Sequence, residues 1–255
     1  MQNNRRHNCR HIDLLWAIHF TMALCGGFLG SYALFSRQLV FGSAQTANLM
    51  ELVSAICGRN LPEVLIRLGA LALYGWGAAL SVILTRKTPL NIRYASILMT
   101  GMAVFASAFI PTAVNPVIAL YPVFFVTAFQ WCAFTGADGF ASSTIFSTNN
   151  VKQTVLGFTE YCLEKDPERR AFQGRKARFF GGTLLFFHTG VALEYLALQV
   201  FSLRAVWLCF LPLAAGFLLV SADEGRKRAE AEAVQTKAKD TGAGTRGRIT
   251  TSFSD

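Results

Sequence analysis

The chain has 255 residues, of which 53% are hydrophobic and only 15% charged. Its mean hydropathy is +0.38. This excludes an ordinary soluble domain, in which about 25% of residues carry charge. The net charge of +9 does not argue for nucleic acid, because Lys and Arg sit at the ends of apolar runs rather than in one patch.

In chain order, the basic N-terminus "MQNNRRHNCRHIDLLWAIHF" opens like a secretory signal, but the apolar run continues to Phe35. It therefore reads as an uncleaved first span. A hydrocarbon core of about 30 Å needs about 20 apolar residues per helix. Six runs qualify: 14–35, 64–85, 93–112, 116–136, 178–199 and 202–221. Two further stretches, "VFGSAQTANLMELVSAICG" (40–58) and "IFSTNNVKQTVLGFTEYC" (145–162), are too polar and too short to cross. About 14 helical residues cover only about 21 Å. Both are expected to enter the membrane and leave on the same side.

The expected organisation is a cytoplasmic N-terminus (1–13), a first membrane repeat (14–112), a second membrane repeat (113–221) and a polar tail (222–255). The tail begins "EGRKRAEAEAVQTKAK", which can continue as helix. The rest reads as disordered and cytoplasmic.

Basic residues set the orientation. They gather before the first span (Arg5, Arg6, Arg10), between the second and third (Arg86, Lys87, Arg93), between the fourth and fifth (Lys165 to Arg178) and after the sixth (Arg226, Lys227, Arg228). With six crossings and both termini inside, every rich loop is cytoplasmic. The chain is then expected in a bacterial inner membrane.

The two halves correspond. Thr46 follows Tyr32 by fourteen residues, and Thr148 follows Phe134 by the same interval. Each opens a Thr-x-Asn, completed by Asn48 and Asn150. Gly69 and Gly77 in "GALALYGWGAAL" match Gly182 and Gly190 in "GTLLFFHTGVAL". Each half holds three crossings, an odd number, so the halves are inverted. The expected fold is all-α: a polytopic membrane protein of six transmembrane helices and two re-entrant half-helices in an inverted 3+3 repeat, a design recurrent in transporters. Thr and Asn are good N-caps. A half-helix start carries partial positive charge. Two such starts meeting from opposite faces would form a polar site from Thr46, Asn48, Thr148 and Asn150. Equally, the same residues could do no more than cap buried helix ends.

The stretches "GGFLGSYALFSRQLVFGSAQTANLMEL" and "FQWCAFTGADGFASSTIFSTNNVK" resemble the two motifs of the YoaK-like (UPF0700) family of bacterial multi-pass membrane proteins, over about 14–221. The resemblance implies a membrane fold but no substrate. Gln130, Thr46, Asn48, Thr148 and Asn150 match the family's pattern. Gly30 stands where it has Asp, Cys132 where it has Asn, and Ala47 and Asn149 where it has Gly. Loss of two polar groups from the membrane suggests altered or relaxed specificity.

Among other candidates, Lys152 is either an added charge at the second half-site or a topology residue. Glu194 is the clearest acid within a span: it either couples a proton or cation to transport, or, the reading preferred from sequence, snorkels to the outer interface. His188 reads as a pore group or, preferentially, a packing residue, and His19 as interfacial. The six cysteines form no CxxC and no cluster with His, so they read as small apolar residues; no metal or cofactor is expected. "GADG" (136–139) reads as a short turn, and no enzyme motif appears.

The leading expectation is a permease or channel for a small polar or anionic solute, with Thr46, Asn48, Gln130, Thr148, Asn150 and Lys152 around the solute and Glu194 as coupling group. The alternative is a non-transporting scaffold or accessory subunit. The lipid bilayer is the expected environment, further copies of the chain are compatible partners, and nucleic acid is not expected.

Overall fold

The computed structural model describes residues 2–37 and 45–246, with side chains over 13–37 and 45–236. The expected first re-entrant segment therefore lies partly outside the described residues, at 40–44. The chain is an α-helical membrane protein. Helix α1 (Gln2–Arg37) is followed by α2 (Gln45–Cys57) and α3 (Leu61–Lys87). Next come α4 (Ile92–Ser107), a single turn α5 (Pro116–Ala119) and α6 (Tyr121–Ala133). A two-stranded hairpin, β1 (Gly136–Ala137) and β2 (Phe140–Ala141), precedes α7 (Thr148–Leu163) and α8 (Pro167–Phe201). A 3-10 segment (Ser202–Cys209) leads into α9 (Phe210–Arg246).

Local chemistry sets these boundaries. Asn60, Asn91, Asn115 and Asp166 each accept a backbone N–H at a helix start, and Pro62, Pro116 and Pro167 occupy first-turn positions that need no donor. "GADG" is more than a bend. Asp138 (φ 53°) and Gly139 (φ 77°) form the two-residue turn of a hairpin, as Asp-Gly pairs favour.

Three stretches are long and apolar enough to cross a bilayer: Asp13–Arg37, Leu61–Lys87 and Pro167–Thr236, the last containing two helices. The runs expected at 93–112 and 116–136 appear instead as shorter helices. Pro111 follows the end of α4, and α5 breaks from α6 at Leu120, just before Pro122. The chain beyond Ala222 is helical as far as Arg246, further than a disordered tail allows. Its Ala, Glu, Lys and Arg are strong helix formers, and Asp223–Lys227 and Arg226–Glu230 pair along one face. Residues 247–255 lie outside the described residues.

Helix α1 packs chiefly on α8, and α3 on α6. Both pairs run parallel. Trp16 meets Phe179, Phe20 meets Phe186 and Phe35 meets Tyr195; Gly69 meets Tyr121 and Gly77 meets Phe125. Glycines permit the approach. A Cβ at Gly27 would lie 2.0 Å from the Phe187 carbonyl oxygen, and one at Gly190 would lie 2.1 Å from that of Leu24. In the other pair, a Cβ at Gly77 would lie 2.3 Å from the Phe125 oxygen. Helices α2 and α7 each bury one face, α2 on α3 and α7 on α8. The main core joins α1, α4, α6 and α9 through Met22, Leu29, Tyr32, Val104, Val123 and Leu213. Cys25 and Cys209 belong to it as reduced, buried residues.

Without a side chain to give way, Gly27→Val or Gly190→Val must separate α1 from α8. Overpacking of this kind costs about 1–3 kcal/mol or more, and thermal melting in detergent should show a clear loss. Gly75, with nothing within 4 Å of an added Cβ, is the control. Gly75→Ala should melt at the wild-type temperature or slightly above it.

Candidate functional site

The segment between α6 and α7 folds back on α1. Thr144 and Ile145 are fully buried. A Cβ at Gly26, midway along Asp13–Arg37, would lie 2.0 Å from the Thr144 carbonyl oxygen. Non-helical backbone thus sits against the middle of an apolar helix. Gln130 fastens it: its Nε2 donates to the Met22 carbonyl (2.9 Å) and to Thr144 Oγ1 (3.2 Å). Ser143 Oγ accepts from the N–H groups of Ile145 and Phe146. Phe146 stands edge-on to Trp131.

Helix α7 starts from this apex. Asn150 is fully buried and fully used. Its Nδ2 donates to the carbonyls of Ser143 (2.8 Å) and Phe146 (3.0 Å), and its Oδ1 accepts from Ser142 Oγ (3.0 Å). Asn150 therefore closes the preceding loop rather than capping the helix. Thr148 is the first helical residue and exposed; the N-cap position belongs to Ser147, which makes no side-chain cap bond. Lys152 is exposed. From here α7 runs antiparallel to α8, with Thr154 beside Gly181, Gly157 against Ala177 and Tyr161 beside Gly174.

The first Thr-x-Asn is built differently. Thr46 is exposed in the first turn of α2, and Asn48 is buried. Asn48 Nδ2 donates to Gln45 Oε1 (3.1 Å) and to the Arg67 carbonyl (3.3 Å). Arg67 is only 6% exposed. Its Nη1 donates to Asn48 Oδ1 (3.5 Å), its Nε to Glu63 Oε1 (2.7 Å), and its Nη2 pairs with Glu51. A cavity of about 480 Å³ opens beside this group, lined by Glu51, Ser54, Asn60, Glu63 and Arg67.

Arg67 was missed in the sequence because it lies inside an apolar run. Glu63, four residues earlier, was the available signal. The two Thr-x-Asn starts share no hydrogen bond, and their helices pack on different neighbours. Among the described residues, Gln130 is the expected site residue that bonds α1, at the Met22 carbonyl.

Glu194 does not snorkel. It is fully buried, and neither carboxylate oxygen meets a donor among the described residues. Gly190, one turn earlier, brings this face of α8 against α1. His19 is likewise buried rather than interfacial, and its ring lies tilted against Phe179 with centroids 5.0 Å apart. His188 lies exposed, with Nδ1 2.9 Å from the Leu184 carbonyl of its own helix.

Charged contacts tie the ends of the bundle. Arg37 donates to the carbonyls of Ile110 and Pro111 beyond α4. At the other end, Arg93 pairs with Asp223 and Glu224, just past the apolar part of α9. Burial pushes the Asp223 carboxyl up, but hydrogen bonds and charge from Lys227 and Arg93 outweigh it and hold the group below the usual value. This stabilisation is present at neutral pH, above the ordinary carboxylate value, and is lost as pH falls through the lowered one.

Residues 18–219 match a family described as a protein of unknown function, DUF1275. The chain belongs to that family. The match agrees with the resemblance to the YoaK-like proteins and covers both Thr-x-Asn segments. No curated protein and no solved structure matches the DUF1275 chain.

Removing one member of a buried ion group strands the others. Arg67→Met should destabilise the protein at or below the low end of ~3–5 kcal/mol, because Glu51 is 47% exposed and screened by solvent. Adding Glu51→Gln and Glu63→Gln should restore most of the loss. Melting of the single and triple variants checks this, and no recovery in the triple variant would mean that Arg67 acts through packing alone.

Proposed function

We propose that the chain crosses a bacterial inner membrane six times, with both termini cytoplasmic, as two inverted halves, and that it is a non-catalytic permease or channel for a small polar solute. In this reading α1, α3, α4 and α5–α6, α8, α9 are the crossings, and α2 and α7 are half-helices. Exchange of equivalent contacts supports the repeat. Gly69 and Gly77 of the first half pack on Tyr121 and Phe125 of the second, and the matching Gly182 and Gly190 pack on Phe20 and Leu24 of the first. Each half thereby lends its first span to the other.

The observation that carries the transport reading is the buried apex at Thr144–Phe146, packed against the middle of α1 with a half-helix leading away. Irregular backbone at membrane depth persists where protein or a cavity surrounds it, as in transporter binding sites. Rocking of the two bundles, α1–α8–α9–α7 against α6–α3–α4–α2, would expose the half-helix starts alternately. The contacts of Arg37 with the end of α4 and of Arg93 with α9 suit closures at the two ends. Glu51 and Glu63, paired with the Arg67 that bonds Asn48, leave this group with one net negative charge, which turns the preference from anions toward neutral polar or zwitterionic solutes.

One observation favours a scaffold instead. Helix α9 continues from Ala222 to Arg246, about 36 Å beyond the apolar segment, a length suited to docking a partner.

Purified protein in vesicles should speed osmotic swelling in at least one of urea, glycerol or glycine, relative to protein-free vesicles. Thr46→Val with Thr148→Val, which removes an exposed hydroxyl at each helix start and leaves the bonds of Asn48 and Asn150 in place, should abolish the effect while the protein still elutes as a folded species. Equal flux in the double variant, or none in the wild type, favours the scaffold.

A further inference from the structure

We propose that Glu194 is a proton-binding site inside the membrane, neutral in this conformation, which exchanges its proton with water when α8 moves relative to α1. The exchange with movement rests on the permease reading; the bound proton does not. Glu194 is fully buried, and both oxygens lack a donor among the described residues. An unpaired carboxylate in an apolar interior costs far more than bringing a proton to a carboxyl at neutral pH. A carboxyl enclosed in this way therefore carries a hydrogen.

No basic side chain bonds the Glu194 carboxyl among the described residues. From α1, the buried Tyr32 donates its hydroxyl to the Ser107 carbonyl and not to Glu194. Arg37, further along α1, gives two of its nitrogens to the carbonyls of Pro111 and Ile110. The 3-10 segment packed on α8 carries Arg204 and Cys209, and neither donates to Glu194. Helix α7, with Lys152, Glu160 and Cys162, runs antiparallel to α8 with Thr154 beside Gly181; Lys152 is exposed, and none of the three bonds the Glu194 carboxyl.

The same surroundings favour a proton over a metal cation. A hard cation needs six or so oxygen ligands. No group of three or more acidic, His or Cys side chains that could hold a metal forms among the described residues. The nearby Ser31 hydroxyl is bonded to the carbonyls of Gly27 and Phe28, and Ser36 to that of Tyr32. A proton needs only the one oxygen. In the exchange, the carboxyl O–H bond breaks and the proton passes to water reaching the site from one side, leaving a carboxylate. Water on the other side returns a proton and restores the O–H bond.

Infrared spectroscopy of the full-length protein in lipid vesicles reads the proton without any solute. At neutral pH the wild type should show a protonated-carboxyl band that is absent from Glu194→Gln, a variant that copies the shape of the neutral acid. The band should persist, shifted, in Glu194→Asp, move on transfer to D2O, and fade as the pH is raised. Superimposable wild-type and Glu194→Gln spectra would mean that Glu194 is ionised and would overturn the proposal. A band that neither shifts in D2O nor titrates would mean a sealed structural acid and would overturn the exchange. Solute flux without the band leaves the permease reading standing and removes the proton site; the band without flux does the reverse.

Discussion

The structure depends on two adjacent glycines in the middle of α1. Gly26 gives way to the backbone of the loop at Thr144, and Gly27 to the backbone of α8 at Phe187. In an apolar medium close backbone approach supplies the packing that the hydrophobic effect supplies in water. It also shields carbonyl and N–H groups that lipid cannot satisfy. Without both contacts, α8 would lie further from α1, and the irregular stretch before α7 would face hydrocarbon.

The remaining polar groups follow from that enclosure. Asn150 takes up two loop carbonyls and one hydroxyl, and Gln130 bolts the loop to α1. On the other half-helix the equivalent Asn48 meets a buried arginine held by two glutamates. The same short motif thus performs two tasks: closing a loop in one half, and extending an ion group in the other.

Much of this was legible in the chain. The matched Thr46 and Thr148 each fall in the first turn of a helix, α2 and α7, and the paired Gly69/Gly182 and Gly77/Gly190 marked the faces that pack closely. The task of each Asn was not legible, because it depends on where the carbonyls of Ser143, Phe146 and Arg67 turn. Arg67 vanished into the average hydropathy of its run. The burial of His19 and Glu194 depends on which side of α8 meets α1. Gly190, four residues before Glu194, carried that information in its helical spacing. The helix beyond Ala222 was underestimated because a polar composition was weighed above the helix propensity of Ala, Glu, Lys and Arg.

The central claim is that two half-helices enter from opposite sides. Asn48 and Asn150 are buried, whereas Thr46 and Thr148 are exposed at the helix starts, so the threonines are the positions to probe. With native cysteines replaced, Thr46→Cys and Thr148→Cys would be treated with a membrane-impermeant thiol reagent in intact cells and in inverted vesicles. The account predicts that position 46 reacts only from outside and position 148 only from the cytoplasmic side. Reaction of both from one side, or of neither from either side, contradicts it.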